Sequence, residues 1–148
     1  GLLLGLGGRL GKSVRETQGL AYSVGSGLEG GLGPGAWAAR AGVAPGNVDR
    51  AVESILAEVE RLRAEPVGPD ELLDAQDYLT GSLPLALESQ DGVARVALDI
   101  ELHDLGLDYL ERYPGIIRAL TAEQVQAAAQ RHLHPDRAVL SVAGPERG

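Results

Sequence analysis

The sequence predicts an α+β domain in which an antiparallel sheet carries helices on one face. Three observations predict it. Leu20 to Leu28 and Ala36 to Val43 alternate with a period of two on either side of a glycine-rich stretch. After Pro45-Gly46 the apolar period changes to that of a helix, and near the end Ala138 to Ala143 alternates again.

Arg9 to Gln18 reads as a short helix stopped by Gly19, since glycine enters the left-handed conformation that closes helices without steric cost. In the strand that follows, Leu20, Tyr22 and Val24 share one face, and Ala21 and Ser23 the other. Gly30, Gly31, Gly33, Pro34 and Gly35 form a turn. The next strand, with Trp37, Ala39, Ala41 and Val43 on one face, returns as the second arm of a hairpin. Val52, Ile55, Leu56, Val59 and Leu62 then make a helical stripe, with Asn47 as its expected cap.

Pro69 opens a second helix, and Asp70 and Glu71 suit its positive end. Leu72, Leu73, Leu79 and Leu83 are its expected inner side, and Pro84 is expected to kink or end it. A third helix is expected from about Asp91 to Asp104, and a fourth from Asp108 to Leu120 around Pro114. Thr121-Ala122-Glu123-Gln124 has the form of a capping box for a last helix ending near His132. No interdomain linker interrupts residues 1–148, which read as a single domain. Three strands are thin cover for so many helices, and the chain opens abruptly within a Gly/Leu pattern. A truncated N-terminus, with strands lost upstream, is therefore the expectation.

Composition narrows the function. The core has to be aliphatic, because the chain holds one tryptophan, four tyrosines and no phenylalanine. A net charge of −8, with a single lysine (Lys12), disfavours nucleic acid, whose phosphates call for clustered cations. The absence of cysteine excludes disulfides, thiol chemistry and Cys-ligated zinc, and leaves the compartment open. No apolar run approaches the ~18 residues of a membrane span, and the apolar opening Gly1–Gly8 lacks the flanks of a signal peptide.

Most catalytic patterns fail on spacing. Gly11-Lys12-Ser13 resembles the end of a phosphate-binding loop, but the glycine required five positions earlier is Leu6. His132 and His134 are alternate residues at a helix end, and His103 is isolated. No pair has the spacing of zinc ligands, so no metal or other cofactor is expected in this chain. No serine sits in a nucleophile elbow, and acid pairs such as Asp70-Glu71 and Asp74-Asp77 lie on solvated helix surfaces.

One stretch is distinctive: Gly8-Arg9-Leu10-Gly11-Lys12-Ser13-Val14-Arg15-Glu16-Thr17-Gln18-Gly19-Leu20-Ala21-Tyr22-Ser23-Val24. It resembles the helix–turn–strand motif S-R-L-F-x-x-(I/L/V)-R-E-x-x-G-L-A-Y-S-V of the pitrilysin/insulinase-type zinc peptidases, the inverted zincins. Arg9, Leu10, Val14, Arg15, Glu16 and every residue from Gly19 to Val24 match. Further pieces follow in the family's order: Pro69-Asp70-Glu71-Leu72, Leu79-Thr80-Gly81-Ser82-Leu83, Leu87-Glu88-Ser89, Thr121 to Val125, and Val142-Ala143-Gly144-Pro145. Two departures stand out. Gly11 replaces a bulky apolar residue, which should weaken the first helix, and the residues before Gly8 do not resemble the family's.

The resemblance implies the C-terminal, non-zinc-binding domain of a clam-shell peptidase, with the fold of one peptidase half. It implies that zinc and its H-x-x-E-H helix belong to a partner domain, in the same polypeptide or another chain, and that the assembly has two or more such parts. The substrate would be an extended peptide enclosed between the halves. The family's arginine and tyrosine, seven positions apart, match Arg15 and Tyr22, which would bind substrate and stabilise the transition state. A guanidinium is a permanent cationic donor and a phenol a neutral one, so together they suit a carbonyl oxygen that gains charge. The plainer alternative is that Arg15 pairs with an acid and Tyr22 packs in the sheet. A second alternative is an inactive structural or assembly domain of the same fold.

Overall fold

The computed structural model describes residues 8–29, 33 and 35–145. Most of the apolar opening and the turn residues Gly30, Gly31 and Pro34 lie outside them. In chain order the elements are an opening helix (Gly11–Thr17), β1 (Ala21–Glu29), β2 (Ala36–Val43), α1 (Val48–Ala64), α2 (Pro69–Ala86), α3 (Gln90–Leu102), α4 (Tyr109–Arg118) and α5 (Ala122–His132). They divide between two compact units, Gly1–Val67 with Val125–Gly148, and Gly68–Gln124.

The first unit is the α+β part. β1 and β2 pair antiparallel from Ala21↔Val43 to Glu29↔Ala36, with the irregularity in register falling between Ala21 and Ser23. The opening helix packs on β1, and α1 packs on β2 and on the opening helix. The buried apolar side chains are Leu10, Val14, Leu20, Ala21, Val24, Ala51, Val59, Leu62, Val67 and Ala129. They are aliphatic, as the composition requires. The expected stripe of α1 is buried at Val59 and Leu62 and half-buried at Val52, Ile55 and Leu56. The amides of Gln126 and Gln130 on α5 donate to the carbonyls that end α1: Gln126 to Arg63 and Ala64 at 3.1 and 2.9 Å, and Gln130 to Arg63 at 2.9 Å.

Three expectations about this unit need correction. The opening helix is wound in π form from Gly11, with Gln18 N–H donating to the Ser13 carbonyl five residues back at 3.1 Å. Asn47 does not cap α1: its own backbone is already helical (φ −104°, ψ 0°), because a tight turn over Pro45–Asn47 starts the winding one step earlier. Residues 138–143 are not a strand of the sheet, which has two strands among the described residues. Alternation predicts an extended chain, but a strand exists only where its backbone pairs.

The second unit is helical. Ser89 caps α3 by accepting from Gly92 N–H at 3.0 Å. Thr121 and Gln124 form the predicted capping box reciprocally, at 3.3 and 2.9 Å. α2 continues two residues past Pro84 before ending. Of its expected inner side, Leu72, Leu79 and Leu83 are half-buried and Leu73 is exposed, and the buried residue is Gln76. The Gln76 amide reaches the end of α4 and donates to the carbonyls of Ile117 (3.1 Å) and Leu120 (3.0 Å). The Ile117 carbonyl also accepts from Leu120 N–H at 3.2 Å, and Leu120 lies past the end of α4, so a polar side chain suits the carbonyls at this junction.

Candidate functional site

The helix–turn–strand motif separates by burial into two sets. Arg9, Leu10, Val14, Leu20, Ala21 and Val24 are buried and hold the fold. Arg15, Glu16, Tyr22 and Ser23 are exposed. A motif that only built a core would have no reason to specify the second set.

The local backbone explains how Arg15 and Tyr22 come to the same hollow. The opening helix is tied to its neighbours by Gln18, whose amide donates to Ser13 Oγ at 3.2 Å and accepts from Ser54 Oγ of α1 at 3.1 Å. Gly19 then reverses the chain at φ +60°, a conformation that side chains other than glycine rarely adopt, and β1 begins two residues later. Simple alternation would place Tyr22 inside with Leu20 and Val24. In the structure Ala21 pairs with Val43 and Ser23 with Gly42, so the register slips at Tyr22. The slip is a bulge, and bulges re-aim the side chain they carry. Tyr22 is accordingly 79% exposed, whereas Leu20 and Val24 are each 4% exposed.

Arg15 and Tyr22 line one open cleft of about 490 Å³, together with Ser23, Val24, Arg40 and Gly42. Its lining holds two guanidinium groups, a phenol and a hydroxyl, and no carboxylate. Among the described residues the Arg15 side chain has no ion-pair partner. Arg40 pairs with Glu29, but both side chains are more than half exposed and such a pair holds its members loosely. In a chain of net charge −8 the cleft is a local cationic, donor-rich surface suited to carbonyl or carboxylate oxygen. Sequence reading named Arg15 and Tyr22 but missed Arg40 and Gly42. Their signal was positional: both lie on β2 opposite the start of β1, within reach of the motif once the hairpin closes.

The histidines do not gather. His103 follows the end of α3, and His134 Nε2 lies 3.0 Å from the Arg131 carbonyl. Among the described residues no group of three metal-ligating side chains occurs.

These features agree with the comparisons to known proteins. A solved structure of a peptidase M16 inactive domain from Pseudomonas fluorescens superposes with a TM-score of 0.76 at 27% identity, over 90% of this chain and 32% of that one. A conserved protein from Enterococcus faecalis V583 superposes with a TM-score of 0.75 at 23% identity, over 87% of this chain and 30% of that one, a likeness of fold alone. The chain thus spans about a third of the length of either. No curated protein matches it. The family model of the peptidase M16 inactive domain matches residues 1–79, which include the whole motif, the hairpin and α1, and this chain therefore belongs to that family.

Proposed function

We propose that this chain is the non-zinc-binding domain of a zinc endopeptidase, and that it helps to enclose an extended peptide and stabilises the transition state through Arg15 and Tyr22. The observation that carries the proposal is that Arg15, Tyr22 and Ser23, exposed residues of the motif, line one cleft while Leu10, Val14 and Leu20 beside them are buried. The zinc site would belong to a partner domain carrying H-x-x-E-H, in the same polypeptide or another chain, and would supply the nucleophile. The work of this chain is to donate. As the peptide carbonyl is attacked, charge gathers on its oxygen. The Arg15 guanidinium and the Tyr22 hydroxyl, held on a helix and a bulged strand, offer hydrogen bonds that strengthen with that charge. The same donors would hold peptide backbone without reading its side chains.

The test is Tyr22→Phe in the assembled peptidase, which removes one donor and keeps the ring. Turnover should fall on the order of 10²-fold, with assembly intact. Arg15→Lys should also be damaging, because an ammonium lacks the planar fork. The double variant should lose less than the product of the two, since both donors serve one oxygen. Binding of an uncleavable peptide should weaken less than turnover falls. Unchanged turnover in Tyr22→Phe would sink the catalytic role. It would favour the second reading, a catalytically inactive structural or assembly domain of the same fold.

A further inference from the structure

We infer that Gly42 is a positioning residue for Tyr22: the bare α-carbon on β2 is the seat on which the phenol ring rests. The inference depends on the proposed role of Tyr22 for its catalytic consequence, but the geometry is independent of that role. The bulge leaves Tyr22 beside the Ser23↔Gly42 pair, so its side chain extends over the neighbouring strand. A β-carbon placed on Gly42 would lie 2.4 Å from Tyr22 Cζ, 2.6 Å from Cε1 and 2.6 Å from the hydroxyl oxygen. All three distances are far inside van der Waals contact. The reacting end of the phenol therefore occupies the space that any side chain at position 42 would take.

Glycine inside a strand weakens it, and at position 42 it coincides with the close approach of another group. Gly27 supplies the contrast on β1, where an added β-carbon meets nothing within 4 Å. The clash at Gly42 is with the far end of an exposed side chain rather than with backbone. Tyr22 and Gly42 also line a second hollow, of about 750 Å³, between β2, α1 and residues 140–145. A displaced ring has somewhere to go. Gly42→Ala should thus move the phenol out of place and leave the hairpin standing.

The experiment is a double-mutant cycle in the full-length peptidase assembled with its zinc-bearing domain, with crystal structures of the variants. Gly42→Ala should lower kcat by on the order of 10²-fold, with a much smaller change in KM, and the crystal structure should show the Tyr22 ring rotated away. In a Tyr22→Phe background the same substitution should cost nothing further, because the hydroxyl it misplaces is gone. Gly27→Ala should leave turnover unchanged. Turnover retained in Gly42→Ala while Tyr22→Phe loses it would overturn the inference and leave the role of Tyr22 standing. An equal loss in both backgrounds would overturn it too. If Tyr22→Phe alone has no effect, the catalytic reading fails, and an unmoved ring in Gly42→Ala would sink the seating as well. Should Gly42→Ala fail to assemble, recovery in a Tyr22→Ala background supports the clash, and persistent failure refutes it.

Discussion

The two units use the same device in different company. In each, glutamine amides close the exposed end of a helix: Gln126 and Gln130 at the end of α1, Gln76 at the end of α4. In the first unit those bonds sit beside an aliphatic core that includes Leu10 and Val14, both with no solvent exposure. In the second, Gln76 is the buried residue, and Leu98, Leu102 and Leu107 are exposed. The motif that places Arg15 and Tyr22 is anchored in the unit with the apolar core. Burial of apolar surface is non-directional and large, and hydrogen bonds are directional and modest in net effect. A site held to fractions of an ångström needs the first to supply rigidity and the second to supply aim.

The contrast is easiest to break at Leu10. Truncation to alanine removes buried methyl groups and leaves a cavity, at a cost of about 2–5 kcal/mol. A surface truncation in the other unit, Leu98→Ala, should change stability by no more than about 0.5 kcal/mol. Urea unfolding followed by circular dichroism measures both. Equal losses would mean that the burial pattern does not describe where stability resides.

A finer comparison sets one glutamine against another. Gln76→Leu removes the side-chain donor to the Leu120 carbonyl and leaves the Ile117 carbonyl with Leu120 N–H alone, and should cost about 1–3 kcal/mol. Gln126→Leu should cost less, because Gln130 still donates to Arg63. Reversed costs in unfolding experiments would show that the redundancy at the end of α1 has no energetic value.

Regular elements were legible because they depend on local pattern. β2 was expected over its observed span, and the box at Thr121 and Gln124 closes as its spacing requires. Arg15 and Tyr22 were legible as residues through a resemblance to a known motif, but the orientation of Tyr22 was not. Alternation assumes an unbroken ladder, and one extra residue at the bulge moves the ring to solvent. Gly42 and Gln76 were missed for a related reason. Each acts on a partner distant in sequence, and neither a glycine in a strand nor a glutamine in a helix announces what approaches it.

The smallest effect expected is one of pH, and it separates the units by chemistry. Hydrogen bonding from the Arg112 guanidinium, seconded by its charge, holds the Asp108 carboxyl below its ordinary value of 3.8. Backbone hydrogen bonding, with help from Thr121, holds Glu123 below its ordinary value of 4.5. A carboxylate whose pKa is depressed by folding contributes stability that is fully present above its unfolded-state value. That contribution is lost as pH falls through the lower folded-state value. The loss should therefore begin below about pH 4.5 for Glu123 and below about 3.8 for Asp108. Both groups are exposed, so salt will screen the charge component and the effect will be slight. Hydrogen exchange resolved by residue offers the sharpest measurement. On acidification, amides at the starts of α4 and α5 should lose protection before those around Leu10 and Val14, which are held chiefly by aliphatic packing. Asp108→Asn should flatten the acid dependence at α4 while leaving α5 unchanged. If protection around Leu10 is lost first, the aliphatic core is not the more acid-resistant part of the chain.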